Sequence, residues 1–256
     1  MWFDYGINNT KNIVSRTPVT IHNNPYSKVS FKQGPVQDTF QNNSVERIFN
    51  ETEIRKLIAQ NPEVTNILAQ NKIPIRLNIK ELQEMKDNHC KDTQNVAVAI
   101  YKHLPKVLTK DINIADLKDG AFLHDFGKVL IPAEILNKNG KLTDAEHKIM
   151  DLHTELGYQL LKNTNVNENV RELVRQHHGN YEKAPNGTNF VQNVSLQIIN
   201  LADKYSALTE KRCYKNAFSS DKALSIIAQD VQDGKVHPML YKALLDAVRN
   251  NELPRK

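Results

Sequence analysis

From about residue 46 onward, apolar residues recur at three- and four-residue spacing, and no stretch alternates convincingly between apolar and polar positions. This pattern predicts helices over Glu51–Gln60, Val64–Asn71, Ile79–Leu104, Ile114–Phe126, Thr143–Lys162, Asn167–His178, Val191–Thr209, Ser219–Val231 and His237–Asn250. The stops are chemical. Asn61-Pro62 separates the first two helices, and Pro105 ends the third. Thr143 opens the run Thr-Asp-Ala-Glu, a capping-box pattern. Residues 1–45 are rich in Asn, Thr, Ser, Pro and Gly, with no sustained period, and read as a flexible arm. The expected fold is all-α: a poorly structured N-terminal arm (1–45), then a helical domain (46–256). Within that domain, short leading helices (46–78) precede a core (79–250).

Certain polar residues fall on the apolar stripes. His89 shares a face with Leu82, Met85, Val96 and Ile100, and His124 lies three after Ala121 and seven after Leu117. His153 stands among Ile149, Met150, Leu156 and Leu160. Val170, Leu173 and Val174 lead to His177 and His178, and Asp203 is flanked by Leu196, Ile199 and Ala207. Residues three, four and seven apart share a helix face, so five helices each aim a His or Asp inward. Taken singly, each has an ordinary explanation as a hydrogen-bonded core residue. Together, five of the nine histidines and the carboxylates Asp125 and Asp203 point the same way. A divalent cation accounts for all of them, because neutral imidazole and carboxylate are donors that it satisfies. Seven donors exceed the four of a structural zinc site and suit two adjacent ions. His22, His103, His147 and His237 read as ordinary.

Bulk properties narrow the picture little. The chain has 256 residues, 39% hydrophobic and 25% charged, with a net charge of +5. That mild excess of cations reads as a solvated surface, with some cations facing an anionic ligand as the alternative, and neither a nucleic-acid polymer nor a membrane is expected as partner. Nothing resembles a membrane span of about 20 apolar residues. The start MWFDYGINNTKNIV lacks a basic stretch followed by an apolar one, so no secretory leader is expected. Cys90 and Cys213 are far apart and in no metal-like spacing, so a reducing, cytoplasmic setting is the default.

The segment HDFGKVLIPAEILNKNGKLTDAEHKIMDLHTELG, followed by QHHG, NLADKYSALTEKRCYKNAFS and VHPMLYKAL, resembles the HD superfamily of metal-dependent phosphohydrolases. It is closer still to the HD-GYP branch, over about His89 to Ala247. The resemblance implies an HD-domain helical bundle with His89, His124, Asp125, His153, His177, His178 and Asp203 as metal ligands, Asp125 bridging two ions. It implies Fe or Mn, with Ni or Zn compatible, and a metal-bridging hydroxide as nucleophile. Lys128, Arg212 and Lys215 would face the substrate phosphates, and Asp125 and Lys128 would carry the catalysis. The implied activity is a phosphodiesterase acting on a cyclic dinucleotide, cyclic di-GMP first. Hydrolysis of another nucleotide, or binding of a cyclic dinucleotide without turnover, stays open. The arm could hold a protein partner.

Three positions depart from the branch. Met85 stands where a Glu often precedes the first His by four residues, which favours two ions over three. Glu81 and Glu84 could replace it only if the helix were irregular. HHGNYEKAPNG replaces the GYP loop, with Gly179 in place of a Glu, and Ser206 replaces the second Asp of D-x-x-D.

Overall fold

Asparagine caps four of the helix starts. Asn50, Asn61, Asn113 and Asn167 each stand one residue before a helix and accept a backbone N–H of its first turn. Thr143, Ser219 and His237 do the same for three more. These caps are seen in a computed structural model that describes residues 45–178, 194–210 and 217–253. The arm expected over 1–45 therefore lies outside the described residues, apart from Val45.

The helices are α1 (Glu51–Gln60), α2 (Pro62–Gln70), α3 (Ile79–Met85), α4 (Lys91–His103), α5 (Lys106–Thr109) and α6 (Ile114–Leu123). There follow α7 (Ala133–Leu136), α8 (Asp144–Leu161), α9 (Glu168–Gln176), α10 (Val194–Thr209), α11 (Ser220–Gln232) and α12 (Pro238–Arg249). Among the described residues every regular element is helical, as the apolar spacing requires. None is long and apolar enough to cross a membrane.

Two expected helices are less regular than their spacing implies. The stretch Ile79–Leu104 is interrupted by a π turn over Lys86–Cys90, which inserts an extra residue between α3 and α4. The Asn88 side chain donates to the Glu84 carbonyl across this turn, at 2.8 Å. The expected helix to Phe126 stops at Leu123, and the chain tightens into a 3-10 turn over Phe126–Leu130. The one-turn helices α5 and α7 went unforeseen, because four residues carry no period. Each follows a proline, Pro105 or Pro132, whose fixed φ starts the turn.

Two apolar clusters build the core. One joins Phe49, Ile54, Leu82, Phe126, Leu156 and Leu160. The other joins Ile100, Leu117, Ile198, Ala202, Ile227 and Leu244. Fully burying one such Leu or Ile stabilises the fold by roughly 1.5–3 kcal/mol. Helix α6 feeds both clusters: Leu117 and Ala121 face the second, Phe122 and Leu123 the first. The next residue, His124, thus emerges at the seam between them.

Polar pins set how the helices meet. The buried Asp116, in the first turn of α6, accepts from Asn167 Nδ2 at 2.7 Å and Asn169 Nδ2 at 3.1 Å. Those asparagines lie at the start of α9. The two helices therefore begin together and deliver His124 and His177, one residue past each end, to the same place. Helix α8 is fixed by the capping box foreseen in the sequence. Glu146 N–H donates to Thr143 Oγ1 at 3.3 Å, and the Thr143 backbone N–H donates to Glu146 Oε2 at 2.7 Å. Lys138 Nζ adds a bond to the same oxygen at 2.6 Å. The chain reaches this cap through Gly140 at φ +129°, a conformation open to glycine and strained for other residues.

The Lys138 bond, then those from Thr143, lower the Glu146 carboxyl from an ordinary 4.5 to about 2. A carboxyl with a depressed folded-state pKa stabilises above its unfolded value and loses that contribution as pH falls toward the folded one. Between pH 4.5 and 2 the wild-type thermal midpoint should therefore fall more steeply than that of Glu146→Gln, which keeps the cap but cannot ionise. Parallel slopes would show that the box carries no pH-dependent stability.

Candidate metal centre

At the seam, donors from separate helices point at one another. His153, His177 and His178 form one group and His89, His124 and Asp203 another, with the offered atoms of each within 4.8 Å of one another. Asp125 lies between them. Its Oδ2 is 3.3 Å from His124 Nε2 and 3.6 Å from His89 Nε2. Its Oδ1 is 3.4 Å from His153 Nε2 and 4.0 Å from His177 Nε2. One carboxylate thus gives an oxygen to each group. Asp203 Oδ1 closes the first group, 3.0 Å from His89 Nε2 and 3.8 Å from His124 Nε2.

Backbone contacts aim the rings. His124 Nδ1 donates to the Ala121 carbonyl at 2.8 Å, His153 Nδ1 to Met150 at 2.6 Å, and His177 Nδ1 to Val174 at 2.7 Å. For His153 and His177, with Nδ1 carrying the proton, the lone pair lies on Nε2, the atom facing the centre. Asn200 Nδ2 also donates to the His177 carbonyl at 3.1 Å, tying α10 to the end of α9. The 3-10 turn after Asp125 lies directly against α8. A Cβ on Gly127 would sit 2.0 Å from the His153 carbonyl oxygen and 2.5 Å from the Gly157 nitrogen. Only glycine permits that approach, and the approach brings His153 to Asp125.

The electrostatics divide the two groups. Burial lowers His153 to about 3 and holds His177 well below the ordinary imidazole range, so both stay neutral. Burial likewise lowers His178. Burial opposes a charge on His124 too, but Asp125 and Asp203 outweigh it and lift that ring to about 10. Asp125 resists the cost of burial because His124 and Lys128 hold it well below the usual carboxylate range. Lys128 Nζ stands 2.7 Å from Asp125 Oδ2 with its side chain 20% exposed.

The donor set fits divalent cations. His124 Nε2 is completely buried with no hydrogen-bond partner among the described residues. Three neutral Nε2 atoms converge in the other group, with His153 3.3 Å from both His177 and His178. Lone pairs that face one another gain from a shared cation and repel without one.

The profile of the HD domain matches residues 57–240. The chain belongs to the HD domain family. It is 32% identical over 176 residues to a cyclic di-GMP phosphodiesterase of Vibrio cholerae, covering 60% of this chain and 35% of that protein. A cyclic di-GMP phosphodiesterase of Pseudomonas aeruginosa is 30% identical over 161 residues, 60% of this chain and 36% of its own length. A 3'3'-cGAMP-specific phosphodiesterase of V. cholerae is 30% identical over 165 residues, 61% of this chain and 35% of its own. The chain thus spans about a third of the length of these relatives. The resemblance to the HD superfamily and its HD-GYP branch is borne out, and proteins of this superfamily depend on metal.

Within this HD domain the structure brings together all seven residues expected as ligands. His89, His124, Asp125, His153 and His177 are buried, while His178 is exposed and Asp203 partly exposed. Lys128 joins them at the rim. Arg212 and Lys215 lie outside the described residues, as do Gly179 and the rest of its loop. Met85 packs partly buried against the first apolar cluster. The helix is irregular at that point, yet Glu84 turns to solvent and pairs loosely with Lys80 at 3.9 Å. Neither Glu81 nor Glu84 belongs to a ligand group among the described residues. One neighbour was missed: Glu210 Oε2 lies 3.5 Å from His89 Nδ1. Its signal was present, since Glu210 follows Asp203 by seven residues and shares its helix face.

Gly127→Ala should lower unfolding free energy by about 2–3 kcal/mol or more, because the added methyl meets backbone rather than a movable side chain. Urea denaturation measures this, and a variant as stable as wild type would contradict the close approach.

Proposed function

We propose that this HD domain is a metal-dependent phosphodiesterase that hydrolyses a cyclic dinucleotide, cyclic di-GMP before others. The observation that carries the reading is Asp125, with one oxygen toward each histidine group. The names of the relatives support the substrate class, and they include both cyclic di-GMP and 3'3'-cGAMP enzymes. A mixed dinucleotide is therefore the second substrate to try.

In this reading His89, His124 and Asp203 hold one divalent cation, His153, His177 and His178 hold a second, and Asp125 is shared. Five imidazoles and two carboxylates suit first-row divalent ions, iron or manganese first, with nickel or zinc compatible. Such ions, when bound, activate water near neutral pH and polarise the phosphoryl group. The protein's own residues do the rest. Burial of four of the five rings removes competing water and keeps their donor atoms aimed. Lys128, at the open rim, is placed to offset charge developing on a non-bridging phosphate oxygen. His178 is exposed and Asp203 partly exposed, so a phosphodiester could reach the donors there. Arg212 and Lys215 are assigned to the substrate phosphates on the family resemblance.

Replacing both His124 and Asp125 with Ala should abolish metal uptake and phosphodiesterase activity together, measured as metal content after anaerobic purification and as turnover of cyclic di-GMP and 3'3'-cGAMP. Hydrolysis at the wild-type rate by that protein would end this reading. Lys128→Ala should retain metal while kcat falls on the order of 10²-fold, the usual cost of removing one well-placed charge-stabilising donor. Metal lost as completely as in the ligand variants would take Lys128 out of the substrate role and make it structural.

A further inference from the structure

His89 is anchored differently from the other buried imidazoles. His124, His153 and His177 each give the Nδ1 proton to the carbonyl three residues earlier. His89 lies in the π turn between α3 and α4, and its fully buried Nδ1 makes no hydrogen bond among the described residues. A buried imidazole N–H left without an acceptor is destabilising. The acceptor within reach is a side chain. Glu210 Oε2 lies 3.5 Å from that nitrogen, an ion-pair distance from which a small shift would form a bond, and its side chain is 21% exposed.

The position of Glu210 argues the same way. It directly follows α10, which ends at Thr209. A carboxylate at a helix C-terminus opposes the helix dipole and gains nothing from it. The His89 imidazole stands within ion-pair distance of it there. The opposite nitrogen of that ring faces Asp203 and Asp125 at the centre. Carboxylate, imidazole and centre are therefore in series.

We propose that Glu210 is a positioning residue for His89, its carboxylate taking the Nδ1 proton in the role that backbone carbonyls fill for the other buried rings. This rests on the two-cation reading above. An anionic acceptor makes the imidazole a stronger donor than a carbonyl does, and loss of such a partner commonly weakens metal binding by 10–100-fold. The effect belongs to one site only, the one formed by His89, His124 and Asp203.

The test is an anaerobic titration of the metal-free full chain with Mn²⁺, reading free Mn²⁺ by electron paramagnetic resonance. Wild type should take up two ions. Glu210→Ala should weaken one site about 10–100-fold and leave the other unchanged. Glu210→Gln, whose amide oxygen can accept the same proton, should recover most of that loss. In a His89→Ala background, Glu210→Ala should add nothing, which a general loss of stability would not reproduce. Glu210→Lys, which places a donor where an acceptor stood, should weaken the same site at least as far, and it keeps the test open if the alanine variant folds poorly. Wild-type affinities at both sites in Glu210→Ala, or additive losses in the His89→Ala background, would overturn the role of Glu210 alone. A wild-type protein that binds fewer than two ions would overturn the two-cation reading and this proposal with it.

Discussion

The Asp125 carboxylate is 1% exposed, and the rest of the site answers to that fact. An isolated buried carboxylate is too costly to keep its charge unless opposite charge and hydrogen-bond donors surround it. The Lys128 ammonium, 2.7 Å from Oδ2, and the His124 ring, 3.3 Å from it, supply that charge, and the His89, His153 and His177 rings also stand within 4.0 Å. Each arrives by a separate structural device. Asp116 aligns α6 with α9, so that two histidines leave parallel helices at the same end. Gly127 lets the backbone of the HD turn rest on α8. The π turn carries His89. Losing any of these would leave the charge at Asp125 short of partners, which is why glycine, asparagine and an irregular helix turn recur around it.

The two donor groups are chemically unequal. One is all imidazole, and burial keeps it neutral. The other includes Asp203, and its His124 competes for a proton with the strength of a ring lifted to about 10. Among the described residues, the first group meets negative charge at the Oδ1 side of Asp125. A cation in the second meets Asp203 and the other Asp125 oxygen, with Glu210 behind His89. Coulomb attraction therefore favours the second group, while proton competition is also concentrated there.

Much of this was legible in the chain because burial leaves a period. His89 follows Leu82 by seven, and His124 follows Leu117 by seven, so their inward aim is written in spacing alone. The helix starts were legible where Thr143 and Asn61-Pro62 mark them. The π turn was not, because one inserted residue keeps both Leu82 and His89 on the buried side and leaves no trace in a three-and-four pattern. The 3-10 turn over Phe126–Leu130 escaped for a related reason, since its residues are nearly all buried and show no polar face. Glu210 was hidden by chemistry rather than geometry. It sits on the right face, but a glutamate beside Lys211 and Arg212 reads as surface charge until the ring behind it is known.

The position of Met85 shows how the irregular turn and the carboxylate supply bear on the number of ions. An extra residue in a helix rotates the turns before it by roughly 100° relative to the turns after it. That rotation could have swung Glu84 or Glu81 toward the donors. Instead the apolar face wins: Leu82 is completely buried and Met85 packs on the same cluster, so Glu84 is left outside. Burying a methionine here gains apolar contact, whereas burying Glu84 would leave a carboxylate in need of an opposite charge. The carboxylate that approaches His89 comes instead from Glu210 on α10's end, behind the ring and away from Asp125. A carboxylate placed there lies behind the ring and not among the donors that face Asp125.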